Sequence, residues 1–326
     1  MSRCPSRRAA ELEAVGRLRP ARYGGFVIAN QTVLVLGAGA SAPFGFPTGR
    51  SLLLRISEGL RQPTSALRVN LEPLGYAEQD LEALGRDLAL SMQPPVDAFL
   101  ENRTKFVDMG KAAMSAALIP YERPEALERP GDSPSWYEYL FAQLAPTLDD
   151  FARGMLSIIT FNYDRSLEFF LLTALVHSFG LPKSTANDLL SGIRVIHVYG
   201  QLGSLSFSSP TGRAYSPEVT ADAIRQSVAS IKILPEKREE DDTFLEARGL
   251  IACAKVLCFL GFGYHPTNMR RLDVNGCFRG ERLLGSAFAL GADERRRAQA
   301  LLTSEITLGT RKDDILYFIR EYPVFG

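Results

Sequence analysis

Short, uninterrupted apolar runs recur along the chain, each closing on glycine or a small polar residue. Thr32–Leu36 (TVLVL) comes first, and an apolar, β-branched run of this length is the pattern of a strand buried on both faces of a parallel sheet. Residues 156–161 (LSIITF), 193–198 (IRVIHV) and 255–260 (KVLCFL) repeat it, with stretches able to form helices between them. This alternation predicts an α/β fold built on a Rossmann-like parallel sheet.

From about residue 61 to 150 the period changes. Leu81, Leu84 and Leu88, then Val96, Phe99 and Leu100, fall at helical spacings, which predicts a helical insertion. Pro94 and Pro95 suit the start of a helix over 96–111, and Pro120, Pro124, Pro130 and Pro134 mark a loop before another near Trp136–Leu144. After Pro210 the chain is polar and turn-rich as far as a charged run, 236–242, that reads as a solvated helix entry or surface loop. A further strand is expected from Ser286 (SAFAL), then amphipathic helices over 293–302 and 313–320. Residues 1–30, which include Arg3, Arg7, Arg8, Arg17, Arg19 and Arg22 but no apolar centre of a secretory signal, read as an N-terminal arm. Residues 31–326 read as one domain.

Composition narrows the function classes. Lys plus Arg (37) balances Asp plus Glu (37), so no global positive field holds nucleic acid or an anionic membrane. The most apolar stretch, 167–179, contains Glu168 and His177 and is too short to span a bilayer. Cys4, Cys253, Cys258 and Cys277 form neither a disulfide framework nor a C-x-x-C zinc pair, which fits a cytoplasmic protein without a metal.

The candidate chemistry lies at the strand ends. Gly37-Ala38-Gly39-Ala40-Ser41 follows the first strand, where small residues let backbone N–H groups approach a pyrophosphate. The third glycine of the dinucleotide fingerprint is absent, and no Gly-Lys-Ser/Thr follows to make an NTPase loop. Asn162 and Asp164 (TFNYD) close the second run, where ligands bind in open α/β sheets, although such residues also cap helices. His197-Val198-Tyr199-Gly200 closes the third, and Gly261-Phe262-Gly263-Tyr264 with Asn268 the fourth.

Together, GAGAS at 37–41 followed by Phe46 and Pro47, TFNYD at 160–164, the His197 segment and FLGFGYHPTN at 259–268 resemble the ordered signature of the sirtuin family. They are most similar to its bacterial sirtuin-like branch of NAD hydrolases in antiphage defence. The resemblance implies a sirtuin-type Rossmann domain that takes NAD as substrate and needs no metal. It would place the NAD phosphates on Gly37, Ala38, Gly39, Ala40 and Ser41, with Phe46 and Pro47 in a cofactor loop above. Asn162 would help place the attacking water beside the nicotinamide ribose, with Asp164 close by. Gly261 and Gly263 would pass under the adenosine side, with Asn268 following. Sirtuins place His directly before Gly, whereas here Tyr199 precedes Gly200 and His197 lies two positions earlier. Residues two apart on a strand share a face. His197 is therefore the expected catalytic imidazole, with Tyr199 as its neighbour or substitute.

The resemblance thus implies an NAD glycohydrolase that releases nicotinamide and ADP-ribose, acting in defence by NAD depletion. An NAD-dependent protein deacylase is the alternative, but the two cysteine pairs of the classical deacylases' zinc module are missing. A third reading is a catalytically silent module sensing NAD or ADP-ribose. A homo-oligomer, or a defence partner of the HerA-like ATPase or short Argonaute type, is the expected control.

Overall fold

The four apolar runs each form a strand in the computed structural model, which describes residues 28–91, 95–128, 133–233, 241–302 and 306–326. The arm at 1–30, apart from its last three residues, and most of the charged run at 236–242 lie outside the described residues. The strands are β1 (Thr32–Leu36), β2 (Leu156–Thr160), β3 (Arg194–His197) and β4 (Val256–Leu260), followed by β5 (Arg282–Gly285) and β6 (Thr307–Leu308). All pair in parallel, in the order β3-β2-β1-β4-β5-β6. Leu34, Ile158 and Cys258, aligned across β2, β1 and β4, pack into the core on one face. Val35, Ile159 and Phe259, one residue on, pack into the core on the other. Burial on both faces explains why these strands read as continuous apolar runs. The strand order reverses between β1 and β4, and the loops leaving their C-terminal ends diverge there, which opens a crevice at the head of the sheet.

Between β1 and β2 the chain is helical: α1 (Ala38–Ser41), α2 (Gly49–Arg61), α3 (Ala66–Leu71), α4 (Glu78–Ser91), α5 (Val96–Glu101), α6 (Val107–Leu118), α7 (Trp136–Leu144) and α8 (Leu148–Ala152). The helical stretch therefore starts before residue 61. α7 has the expected bounds and opens on a reciprocal capping box between Ser135 and Glu138. The single helix expected over 96–111 is instead two, because the chain bends through a 3₁₀ turn at Thr104–Phe106. The bend stacks Phe99 on Phe106 with ring centroids 6.4 Å apart. It also lays Leu100 on Gly110, where a Cβ would stand 2.5 Å from the leucine side chain. Apolar residues that continue a helical period can equally bury one another by folding back.

After β2 come α9 (Ser166–Phe179) and α10 (Lys183–Leu190), then β3, α11 (Ala221–Ser230) and α12 (Asp242–Cys253), then β4, α13 (Pro266–Leu272) and α14 (Val274–Cys277). α15 (Ala292–Leu301) joins β5 to β6, and α16 (Ile315–Glu321) follows. The strand expected from Ser286 lies just before it, at β5. Ser286 leaves the sheet to accept a hydrogen bond from the Gly261 N–H at 2.9 Å, and Ala289 takes a φ of 61°, which no strand tolerates. Among the described residues no helix is long and apolar enough to cross a membrane.

Candidate functional site

The glycines at the ends of β1 and β4 bring two turns together. The Gly37 N–H donates to the Leu260 carbonyl and that of Gly39 to the Gly261 carbonyl, both at 3.0 Å. A Cβ on Gly37 would stand 2.5 Å from the Gly261 oxygen, and one on Gly39 2.8 Å from the Gly261 Cα. Gly39, Ala40 and Gly261, expected to face a nucleotide, thus face the neighbouring loop or the core. The Ala40 carbonyl accepts from the Trp136 indole at 2.9 Å. Gly200 is also set apart, with a φ of 73° and no room for a Cβ against the Ser230 carbonyl.

In front of these turns lies a cavity of about 300 Å³, the lower end of the range for ligand sites. Gly37, Ala38, Ser41, Phe46, Pro47, Asn162, Asp164, Tyr199, Gly263 and Asn268 line it, which gathers the larger part of the expected site. The helical insertion supplies another wall, from Pro95, Val96, Asp97, Met114 and Leu118. Among the described residues that line it there is neither lysine nor arginine, whereas Asp97 and Asp164 are both present.

Asn162 is held from three sides. Its N–H donates to Thr160 Oγ1 at 3.0 Å, and its Nδ2 donates to the Gly37 carbonyl and to Ser41 Oγ, each at 3.0 Å. A carbonyl can only accept, so the Gly37 oxygen fixes which way the amide points. Asn162 Oδ1, an acceptor, takes no part in these bonds. Burial pushes the Asp164 carboxyl up from its ordinary range, against the hydrogen bonds it accepts from Ser166 and Ser41. The Ser166 N–H lies 3.1 Å from Asp164 Oδ1, and the Ser166 hydroxyl donates to the same oxygen.

His197 is not in the cavity. Its Nδ1 lies 2.9 Å from the Asn162 carbonyl and its Nε2 2.7 Å from Glu168 Oε1. It lines a space of about 10 Å³ behind the loop, with Glu168, Tyr137 and Thr160, room for one water at most. A carbonyl and a carboxylate both accept, so the two contacts together favour the doubly protonated, cationic ring. Burial works against that charge, but Glu168 outweighs it and the net shift of the His197 pKa is upward. The expectation that His197 shares a face with Tyr199 fails because β3 ends at His197: the Gly200 N–H donates to the His197 carbonyl at 3.0 Å, a turn that breaks the alternation.

Tyr199 does reach the cavity, with its hydroxyl engaged. It donates to Asn268 Oδ1 at 2.7 Å and accepts from Arg271 Nη1 at 2.5 Å. Burial drives the phenol pKa well above its ordinary value. Arg271 also forms a two-pronged pair with Glu101 of α5, at 3.0 and 3.3 Å, which fastens the insertion to α13 beside the cavity.

Three residues have no signal in the sequence. Asp97 reads as an ordinary acidic residue in a helix's first turn. In the structure it lines the cavity at 8 % exposure, and burial, with Glu101 behind it, raises its pKa to about 6. The Tyr163 hydroxyl is buried beside the Asp97 carboxyl in the cavity wall. Glu168, in an apolar helix, is recognisable only once β3 brings His197 to it. Among the described residues no group of three or more His, Cys, Asp or Glu is placed to hold a metal. No family model and no curated protein matches this chain.

Proposed function

We propose that the chain binds NAD across the crevice and hydrolyses its nicotinamide–ribose bond. The make-up of the cavity wall carries this reading: two buried carboxyls, neither lysine nor arginine among the described lining residues, and an asparagine fixed through its Nδ2. Such a wall suits a cation. The nicotinamide ring is positive before the bond breaks and the ribose becomes positive as it breaks, so carboxylates here favour the transition state. The pyrophosphate would lie instead at the β1–α1 turn, over Gly37 and Ala38. A cavity of about 300 Å³ encloses roughly the nicotinamide half and leaves the adenosine half toward the open Gly263 edge. Asn162 Oδ1 holds the attacking water by geometry rather than by basicity.

One observation favours a second reading, an NAD- or ADP-ribose-sensing module: the group standing before Gly200 is a phenol already engaged by Asn268 and Arg271. A constitutive NAD hydrolase would drain its own cell. The hydrolase reading therefore carries the further proposal of a latent cytoplasmic defence effector, released by self-assembly or by a partner such as a HerA-like ATPase or a short Argonaute.

Chromatography of NAD incubated with the purified chain, alone and with its genomic neighbour's product, separates the readings. Equimolar nicotinamide and ADP-ribose, lost in Asn162→Ala, is the expected result. NAD that binds but stays intact in every arm makes the chain a sensing module.

A further inference from the structure

The hydrolysis proposed above needs a group to take a proton from the attacking water, and most of the candidates near the cavity are engaged by other residues. His197 faces away from the cavity with both ring nitrogens hydrogen-bonded. The Tyr199 hydroxyl is committed to Asn268 and Arg271, and the Asp164 carboxyl to Ser166. His265 lines the cavity as an exposed residue at the start of α13. Asp97 is, like Asp164, a buried carboxyl in the cavity wall, but it enters from the insertion rather than from a strand end. Beside it in the cavity wall stands the buried Tyr163 hydroxyl, close enough to the Asp97 carboxyl to favour its ionised form.

We infer that Asp97, carried to the cavity by α5, is the catalytic base for this hydrolysis; the assignment rests on the NAD hydrolase reading. The water oxygen bonds to the anomeric carbon of the nicotinamide ribose. The carbon–nitrogen bond breaks with its electron pair passing to the ring nitrogen, which becomes neutral, and one water proton passes to an Asp97 carboxylate oxygen. The products are ADP-ribose, nicotinamide and, once Asp97 is reset by solvent, one proton.

Three groups act on this carboxyl. Glu101, one turn along α5, opposes its ionisation and is itself paired to Arg271 of α13. Tyr163, from the loop after β2, favours the carboxylate. Tyr199, from the turn after β3, lies within electrostatic reach. Burial outweighs the favourable contacts and leaves the group near pH 6, ionised at neutrality yet basic enough to accept a proton. The insertion is then part of the active site and not only a cover.

The test uses the full chain under whichever condition gives NAD cleavage. Asp97→Asn is expected still to bind NAD measurably by calorimetry, with some loss of affinity for the cationic ring, while turnover falls by roughly 10²- to 10⁴-fold. Added formate restores cleavage to Asp97→Ala but not to Asn162→Ala, a rescue that no purely structural role would give. The wild-type rate falls as pH drops through about 6, and Asp97→Asn loses that limb. An Asp97→Asn chain that cleaves at the wild-type rate overturns the assignment and leaves the hydrolase reading standing. If the variants fail to fold, a wild-type profile flat between about pH 5 and 8 overturns it equally. A wild type that binds NAD but never cleaves it removes the hydrolase reading and this base together.

Discussion

Behind the loop that follows β2 the charged side chains are matched; in front of it they are not. On the rear side His197 meets Glu168, while Arg165, fully buried, meets Glu122 through Nε at 2.7 Å and Nη2 at 2.5 Å, and Arg213 joins the same carboxylate. Arg165 Nη1 also donates to the carbonyls of Gly203, Ser204 and Arg213, which ties the loop after β3 to the insertion. On the front side Asp97 carries a raised pKa with only the neutral Tyr163 hydroxyl beside it, and the Asn162 amide is held through Nδ2. Both sides draw on one stretch of chain, since Asn162, Tyr163 and Asp164 face the cavity and Arg165 turns away. Residue type alone does not mark function here. A histidine at a strand end can be fully consumed in holding a loop, and an aspartate in the first turn of a helix can be the group left for chemistry.

The sharpest way to break this contrast is to remove the rear carboxylate. Glu122→Ala leaves two guanidinium groups in the interior without their counter-charge, and should cost roughly 3–5 kcal/mol in denaturant unfolding. A loss below about 1 kcal/mol would mean that water or backbone carbonyls already satisfy Arg165 and Arg213.

A smaller effect is expected at His197→Gln, roughly 1.5–3 kcal/mol for charge-assisted hydrogen bonds. Its pH dependence is specific. The folded-state pKa of His197 is raised, so the stability it contributes is complete below the unfolded value near 6.5 and is lost as pH rises through the folded value. Glu168 is held below its ordinary range by His197, in spite of burial, so its share is present above the unfolded carboxylate value and disappears as pH falls through the folded one. Melting curves of wild type and variant should therefore be furthest apart in the mildly acidic range and converge in alkaline solution. A gap that widens with pH would show His197 to be buried neutral.

The smallest effect belongs to Tyr199→Phe. Loss of the hydroxyl leaves Arg271 its Glu101 contact and the ring its packing on Phe161, at a cost of about 0.5–1.5 kcal/mol, with NAD cleavage little changed. Abolished cleavage with intact NAD binding would return the phenol to the centre of the mechanism.

The centre of the sheet is legible because a strand buried on both faces leaves a short apolar run; β1, β2, β3 and β4 all lie within the expected segments, whereas the similar run from Ser286 forms no strand. β6 is not legible, since two residues carry no period. The positions of Asn162, Ser41 and Tyr199 follow from the rule that strand ends gather at the head of a parallel sheet. Asp97 escaped because its place depends on the bend between α5 and α6, fixed by Phe99, Phe106 and Leu100 against Gly110, a tertiary contact without a local signature. His197 misled because period-two alternation was carried one step past the end of the strand.

A crystal structure of Asn162→Ala soaked with NAD tests the contrast most directly. The account predicts the nicotinamide ribose in the front cavity, between the site of the missing amide and Asp97, with the His197–Glu168 contact unchanged behind it. Nicotinamide ribose seated against His197, or NAD bound away from the cavity altogether, would contradict it.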